Sequence, residues 1–313
     1  MAAPVRWGFL GAGWMARTIA PSVHAAEGAV LQAVGARDAA RAARLGPVRA
    51  YDAYDAVLAD SDVDAVYIAL PNDAHVPWAR RALAAGKHVL CEKPLGLDAD
   101  EVQLLTSEAE DAGLLAVEAS WYRWHPRTVR TEALVRAGLL GEVTRAYSGF
   151  TGGGGDSANY RFDPRAGGGA LYDVGCYSVS VVLWAAGWAP LAGVEASFDR
   201  TSEGVDVRGT ARLQLGATVG EVRFGMRDAP EQSVLVEGSE ARLEWRFPAF
   251  TSRFEVAEMT VGDRVERFAP CDPYELMVAA VSRRVRGDES AYVVPLSESL
   301  RVAEAVDAVR AAG

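Results

Sequence analysis

Val5-Arg6-Trp7-Gly8-Phe9-Leu10-Gly11-Ala12-Gly13-Trp14-Met15-Ala16 is the stretch on which the fold turns. An apolar run of strand length ends in two glycines one residue apart, and a helical pattern follows at once with Ala16 in the third position of a G-x-G-x-x-G/A fingerprint. Glycines there make a tight turn and let backbone N–H groups approach a pyrophosphate, while the helix N-terminus offers partial positive charge to an anion. Gly11, Gly13, Trp14, Met15 and Ala16 are therefore the expected contacts to a dinucleotide. An ordinary strand-to-helix turn carries the same glycines, so the flanking pattern decides between the two.

That pattern is an alternation. Strand candidates recur at Val30–Gly35, Ala65–Leu70, Lys87–Cys91 and Leu114–Ala119, with amphipathic helical segments such as Val76–Ala85 and Asp98–Ala112 between them. Strands separated by helices imply right-handed crossovers and a parallel sheet with helices on both faces. Pro21 is expected to kink or end the first helix. After about residue 140 the period changes to two: in Val207–Leu215, Ala211, Leu213 and Leu215 fall on one face and Arg208, Arg212 and Gln214 on the other. Half-exposed antiparallel strands read this way. Similar runs at Glu221–Phe224, Ser233–Glu237, Ala241–Phe247 and Arg253–Val256 extend the sheet. The expected fold class is thus α/β, a doubly wound parallel sheet (Rossmann), joined to a second α+β domain on an open, mostly antiparallel sheet. The expected division is 1–120 for the dinucleotide, 121–295 for substrate and oligomerisation, and a terminal helix (296–313, capped by Ser297) packing back on the first domain. Gly152–Gly155 reads as a mobile loop. An open sheet invites a subunit to cover it, so a homo-dimer or homo-tetramer is expected.

With 313 residues, half of them apolar and 24% charged, the chain has the composition of a globular protein of about two domains. A net charge of −10 without a basic patch argues against a nucleic-acid partner. Cys91, Cys176 and Cys271 show no CxxC spacing, so neither a disulfide framework nor a zinc site is expected, and no other metal site is indicated. The start of the chain lacks a signal-peptide pattern, which points to the cytoplasm. Val174–Val194 is uncharged over 21 residues, but Gly187 and Pro190 interrupt it, so it reads as a buried helix rather than a membrane span.

At the end of the second strand an NAD-selective site usually places an acid for the ribose diol. Here the order is Gly35-Ala36-Arg37-Asp38. Arg37, with Arg41, could pair with a 2′-phosphate, because guanidinium presents planar bidentate donors; NADP is therefore preferred and NAD remains possible. In the competing reading Arg37 is a solvated charge and Asp38 caps a helix. In Ala65-Val66-Tyr67-Ile68-Ala69-Leu70-Pro71-Asn72-Asp73-Ala74-His75 a buried strand opens into a polar turn at the edge where doubly wound sheets bind ligands. Leu70, Asn72 and His75 are cofactor candidates there, or else Asn72 only makes the turn and His75 only opens a helix. Glu92-Lys93-Pro94, after Lys87–Cys91, sets a cation at the same edge and suggests hydride transfer.

The succession Tyr67–Asn72 to His75, then Ala85-Gly86-Lys87-His88-Val89-Leu90-Cys91-Glu92-Lys93-Pro94, resembles the Gfo/Idh/MocA oxidoreductases. The resemblance continues through Glu118-Ala119-Ser120-Trp121-Tyr122-Arg123-Trp124-His125-Pro126, Asn159–Pro164 and Gly167–Tyr177. It implies a nicotinamide cofactor and a sugar (aldopyranose) or cyclic polyol substrate, oxidised or formed from its ketone. It further implies that Lys93 is the essential lysine, that Glu92 lies near the nicotinamide ribose, that Asp173 faces substrate, and that Tyr160 and Arg161 lie near the cofactor. Tyr177 stands where many members carry His, a departure that resembles the branch with dihydrodiol and D-xylose dehydrogenases. A phenol with an ordinary pKa near 10 is a poor base unless a cation such as Lys93 favours the phenolate. Without the motif, Asp173 reads as a helix cap and Tyr177 as core. Two other functions share the resemblance: a non-catalytic dinucleotide sensor and an NAD-dependent glycosidase.

Overall fold

The computed structural model describes residues 3–152, 154 and 159–313. They fall into two compact units, Met1–Trp121 with Asp272–Leu300, and Tyr122–Cys271 with Arg301–Gly313.

In the first unit the elements run β1 (Val5–Leu10), α1 (Trp14–Ala25), β2 (Ala29–Gly35), α2 (Ala39–Ala43), β3 (Arg49–Tyr51), α3 (Tyr54–Ala59), β4 (Ala65–Ile68), α4 (His75–Ala84), β5 (His88–Cys91), α5 (Ala99–Ala112) and β6 (Ala116–Glu118). The six strands form one parallel sheet in the order β3-β2-β1-β4-β5-β6. Every residue of β4 is buried, as covering both faces of a parallel sheet requires. The strand order reverses between β1 and β4, which is where such sheets bind ligands at their carboxyl edge. The expected strands appear within two residues of their predicted bounds, and the short edge strand β3 joins them.

Pro21 corrects one expectation: it lies inside α1 and the helix continues to Ala25. One missing N–H bond is outweighed because Ile19, Ala20, Ser22 and Val23 are all buried, and Ser22 Oγ donates to Asp272 Oδ2 at 2.7 Å.

The second unit contains α6 (Pro126–Arg136), β7 (Val143–Thr151), α7 (Cys176–Ala185), β8 (Leu191–Arg200), β9 (Asp206–Leu215), β10 (Thr218–Gly225), β11 (Glu231–Gly238), β12 (Arg242–Trp245), β13 (Ala257–Val261) and β14 (Arg264–Phe268). The chain then forms α8 (Pro273–Val285) and α9 (Leu296–Ala312). The sheet order is β14-β13-β12-β11-β7-β10-β9-β8, antiparallel throughout except for the parallel pair β7–β10. Burial alternates strictly along β9, and α7, buried at every position, covers the apolar face. The other face carries ion pairs such as Arg145–Glu221 at 2.7 Å and Arg212–Glu221 at 3.0 Å. The uncharged segment therefore ends as a buried helix, with Gly187 at φ 61 two residues past it. Among the described residues no helix is long and apolar enough to cross a membrane.

Three details differ from expectation. Arg253–Val256 is not a strand, since Phe254 adopts φ 60, a left-handed conformation no strand accepts, and β13 begins at Ala257. Ser297 lies within α9 rather than capping it. The division of the chain also departs from 121–295: α8 belongs to the first unit, where Trp7 Nε1 donates to Ser282 Oγ at 3.0 Å. From Arg301 onward α9 belongs to the second, Arg301 Nη2 donating to the carbonyls of Trp188 and Ala189. Of the loop Gly152–Gly155, two residues lie outside those described.

Candidate active site

In the first unit the glycine turn has the shape its sequence predicts. Gly11 sits at φ 109, and a Cβ on it would lie 2.6 Å from the carbonyl oxygen of Ala69. Only glycine accepts both the angle and the approach. Gly13 has nothing within 4 Å of where a Cβ would project, so the surface over the start of α1 is open. No side chain caps α1 and its first turn holds no acid, which leaves its N–H groups and dipole to an anion. Trp14, the first helical residue, is exposed, while Ala16 is fully buried against the sheet. These residues fit a pyrophosphate cradle.

At the end of β2, Asp38 caps α2 by accepting from Ala40 N at 2.8 Å. One carboxylate oxygen is thereby bonded to the backbone, and Arg37 beside it is exposed. Arg41 extends back along the turn, its Nη2 donating to the Ala12 carbonyl at 3.5 Å.

At the β4 edge, Asn72 and His75 are both buried. His75 is spent on backbone: Nδ1 lies 2.7 Å from the Pro94 carbonyl oxygen and Nε2 3.0 Å from that of Leu70. Burial pushes its pKa down, while the two carbonyls pull it up. The ring thus joins the turn after β4 to the turn after β5, a positioning role the sequence did not suggest. Glu118, at the end of β6, accepts from Leu95 N at 3.1 Å and from Ser299 Oγ at 2.8 Å, and Glu101 accepts from Leu97 N at 2.8 Å. Three side chains therefore hold the backbone on which half-buried Lys93 stands. Glu92 is buried and accepts from Tyr67 Oη at 2.6 Å. Burial raises the Glu92 carboxyl above its ordinary value, opposed by Tyr67 and Lys93, and burial likewise pushes the Tyr67 phenol well up.

In the second unit, Asp173 lies on a single π-helical turn, Leu171–Gly175, that leads into α7. Such turns widen a helix locally and re-aim its side chains. Arg161 Nε donates to Asp173 Oδ1 at 2.7 Å, and the Arg161 guanidinium lies 5.0 Å from the centre of the Tyr160 ring. Asn159 accepts from Arg161 N at 3.1 Å and fixes the start of that turn. Tyr177, one turn beyond Asp173, is buried among aromatic rings: Phe150 at 5.4 Å, Phe250 at 5.5 Å and Tyr122 at 5.6 Å. Phe250 depends on Arg127, a buried guanidinium whose Nη2 donates to the carbonyls of Pro248 at 2.9 Å and Ala249 at 2.6 Å. With no carboxylate hydrogen-bonded to it among the described residues, burial drops the Arg127 pKa to about 10.

Of the expected site residues, Gly11, Gly13, Trp14, Met15, Ala16, Arg37, Leu70, Asn72, His75, Glu92 and Lys93 lie in the first unit, and Tyr160, Arg161, Asp173 and Tyr177 in the second. Tyr67, Glu118, Arg127 and Phe250 were assigned no role from sequence. A Tyr in a wholly apolar strand and a Glu ending another were the available signals.

Comparison with known proteins bears on the fold and the family. Residues 5–119 match the description "Oxidoreductase family, NAD-binding Rossmann fold", and residues 127–244 match "GFO/IDH/MocA C-terminal domain". A D-xylose 1-dehydrogenase (NADP(+)) of Haloferax volcanii is 40% identical over 97% of this chain and 95% of its own. A dTDP-3,4-didehydro-2,6-dideoxy-α-D-glucose 3-reductase of Actinomadura kijaniata is 32% identical over 98% of this chain and 95% of its own. The crystal structure of the 3-ketoreductase KijD10 from Actinomadura kijaniata, in complex with NADP and TDP-benzene, superposes with a TM-score of 0.86 at 29% identity, covering 98% of this chain and 97% of that one. Likeness that spans both units and nearly the full length of each relative is likeness of the whole enzyme, and the chain belongs to the Gfo/Idh/MocA family of oxidoreductases.

Proposed function

We propose that the protein is an NADP-preferring dehydrogenase or reductase acting on one CH–OH group, or the corresponding ketone, of an aldopyranose or related cyclic polyol. The observation behind the nucleotide preference is the β2 edge, where an arginine, Arg37, stands exposed at the end of the strand; the Asp38 cap is common to this reading and to a solvated Arg37. A guanidinium exposed at that edge suits a phosphate. The relatives named for NADP and for sugars support the same reading.

When bound, NADP supplies or accepts the hydride. Lys93 and Tyr177 handle the proton. In oxidation the Tyr177 phenolate takes the substrate hydroxyl proton, and in reduction the Tyr177 phenol donates a proton to the nascent alkoxide. Lys93 stabilises the phenolate electrostatically. Glu92, held by Tyr67, takes the nicotinamide ribose, and Asp173, held by Arg161, orients a neighbouring substrate hydroxyl. The polar face of the eight-stranded sheet supports a homo-dimer or homo-tetramer, which light scattering tests. Three cysteines without the spacing of a disulfide framework suit a reducing compartment such as the cytoplasm.

Initial rates with NADP⁺ and NAD⁺ against aldopyranoses, inositols and cyclic trans-diols test the function. NADP⁺-dependent turnover of a sugar or diol is expected. Binding of nucleotide without turnover in either direction refutes it in favour of a sensor, and cleavage of a glycoside without net reduction refutes it in favour of a glycosidase.

A further inference from the structure

We infer that Asp206, the first residue of β9, is a positioning residue that sets Asp173 and Tyr177 in register for the reaction, a role that rests on the function proposed above. Its Oδ2 accepts from Leu171 N at 2.7 Å. Ala170 and Leu171 open the helical run that carries Asp173 on its π turn and Tyr177 in the next turn. The run has no cap of its own, since the residue before it, Ala170, offers no side-chain bond. A carboxylate from 35 residues along the chain, on the sheet beneath, supplies that cap.

The surrounding sequence is built for the contact. Gly169 sits at φ 135, and a Cβ there would collide with Asp206 Oδ1. Gly168 donates to the Asp163 carbonyl at 3.0 Å and Gly169 to that of Arg161 at 3.0 Å, so the glycine run also ties the cap to the turn that presents Arg161 to Asp173. Burial pushes the Asp206 carboxyl up, and the N–H bonds pull it back toward the ionised form. One side chain thereby fixes the start of the helix while its neighbours fix the partner of Asp173.

The test is a set of variants assayed by initial rates and by amide exchange at Leu171. In D206A, exchange at Leu171 is expected to accelerate about tenfold with the lost bond, and kcat to fall about tenfold or more with KM for NADP⁺ within about twofold. D206N keeps an acceptor at the same reach and is expected to retain most of kcat, whereas D206E, one methylene longer, loses it. This order holds the idea falsifiable if D206A does not fold, because a role for charge alone predicts the reverse. In a D173N background D206A is expected to cost less than it does in the parent, since one of the two groups it positions is already impaired. Unchanged kcat or unchanged Leu171 exchange in D206A overturns the inference, as does a full penalty in the D173N background. A wild-type enzyme without turnover on any substrate overturns the parent reading and this one with it; an active wild type with unimpaired D206A overturns this one alone.

Discussion

Replacing Arg37 by serine tests the nucleotide preference at the one group that should distinguish the two cofactors. Arg37 is exposed at the end of β2, so its attraction to a 2′-phosphate acts in a medium close to bulk water. Two unit charges about 4 Å apart there interact by about 1 kcal/mol, and a phosphate monoester carries about −1.5 to −2 charges at neutral pH. The loss on R37S is then about 1.5–2 kcal/mol, or roughly 10- to 30-fold in KM for NADP⁺. NAD⁺ lacks the phosphate and should bind R37S as it binds the parent, within about twofold. Arg41, whose Nη2 lies 3.5 Å from the Ala12 carbonyl oxygen, is the second guanidinium of this edge, and R41S should likewise weaken NADP⁺ more than NAD⁺. Initial rates at 20 and 200 mM salt complete the assay, because an exposed ion pair is screened and the gap between parent and R37S must shrink as salt rises. An NADP⁺-to-NAD⁺ ratio unmoved by R37S, or an equal loss for both nucleotides, refutes the assignment.

Tyr177→Phe should lower kcat by about 10²–10⁴ while KM for NADP⁺ stays within about twofold, and unchanged turnover removes Tyr177 from proton transfer. Gly11→Ala must take φ 109 and meet the Ala69 carbonyl; a loss of about 2 kcal/mol or more is expected by thermal melting, together with weaker nucleotide binding, and a fully stable variant contradicts the geometry. Glu92→Gln keeps an acceptor for Tyr67 and removes a charge that burial disfavours. A carboxyl whose folded pKa exceeds its unfolded value loses stability as pH rises through and above that unfolded value, about 4.5. Urea midpoints should therefore show E92Q gaining on the parent at pH 7 to 8 and the gain shrinking toward pH 4.5; a gain independent of pH contradicts it.

Much of the first unit was legible because its signals are local. A buried parallel strand is an unbroken apolar run, and Gly11 is demanded by a backbone angle, so both could be read within a dozen residues. Lys93 was legible in the same way, but what holds it was not. His75 was a candidate to face cofactor, yet its ring is buried between two carbonyls from successive turns, and one ring N–H donates to one of them. Glu118 and Glu101 reach the same turn from other elements. The strand expected at Arg253–Val256 failed for a related reason: alternation of side chains says nothing of the positive φ at Phe254.

The order of residues settled the alternation of strand and helix, the glycine turn and the switch to a period of two after residue 140, because each depends on sterics and burial over one or two turns of chain. Only the folded chain brings Asp272 to Ser22, Arg127 to the carbonyls of Pro248 and Ala249, and Asp206 to Leu171. Contacts between residues 35 to 250 positions apart follow from where the strands lie in their sheets, and no local preference encodes that path.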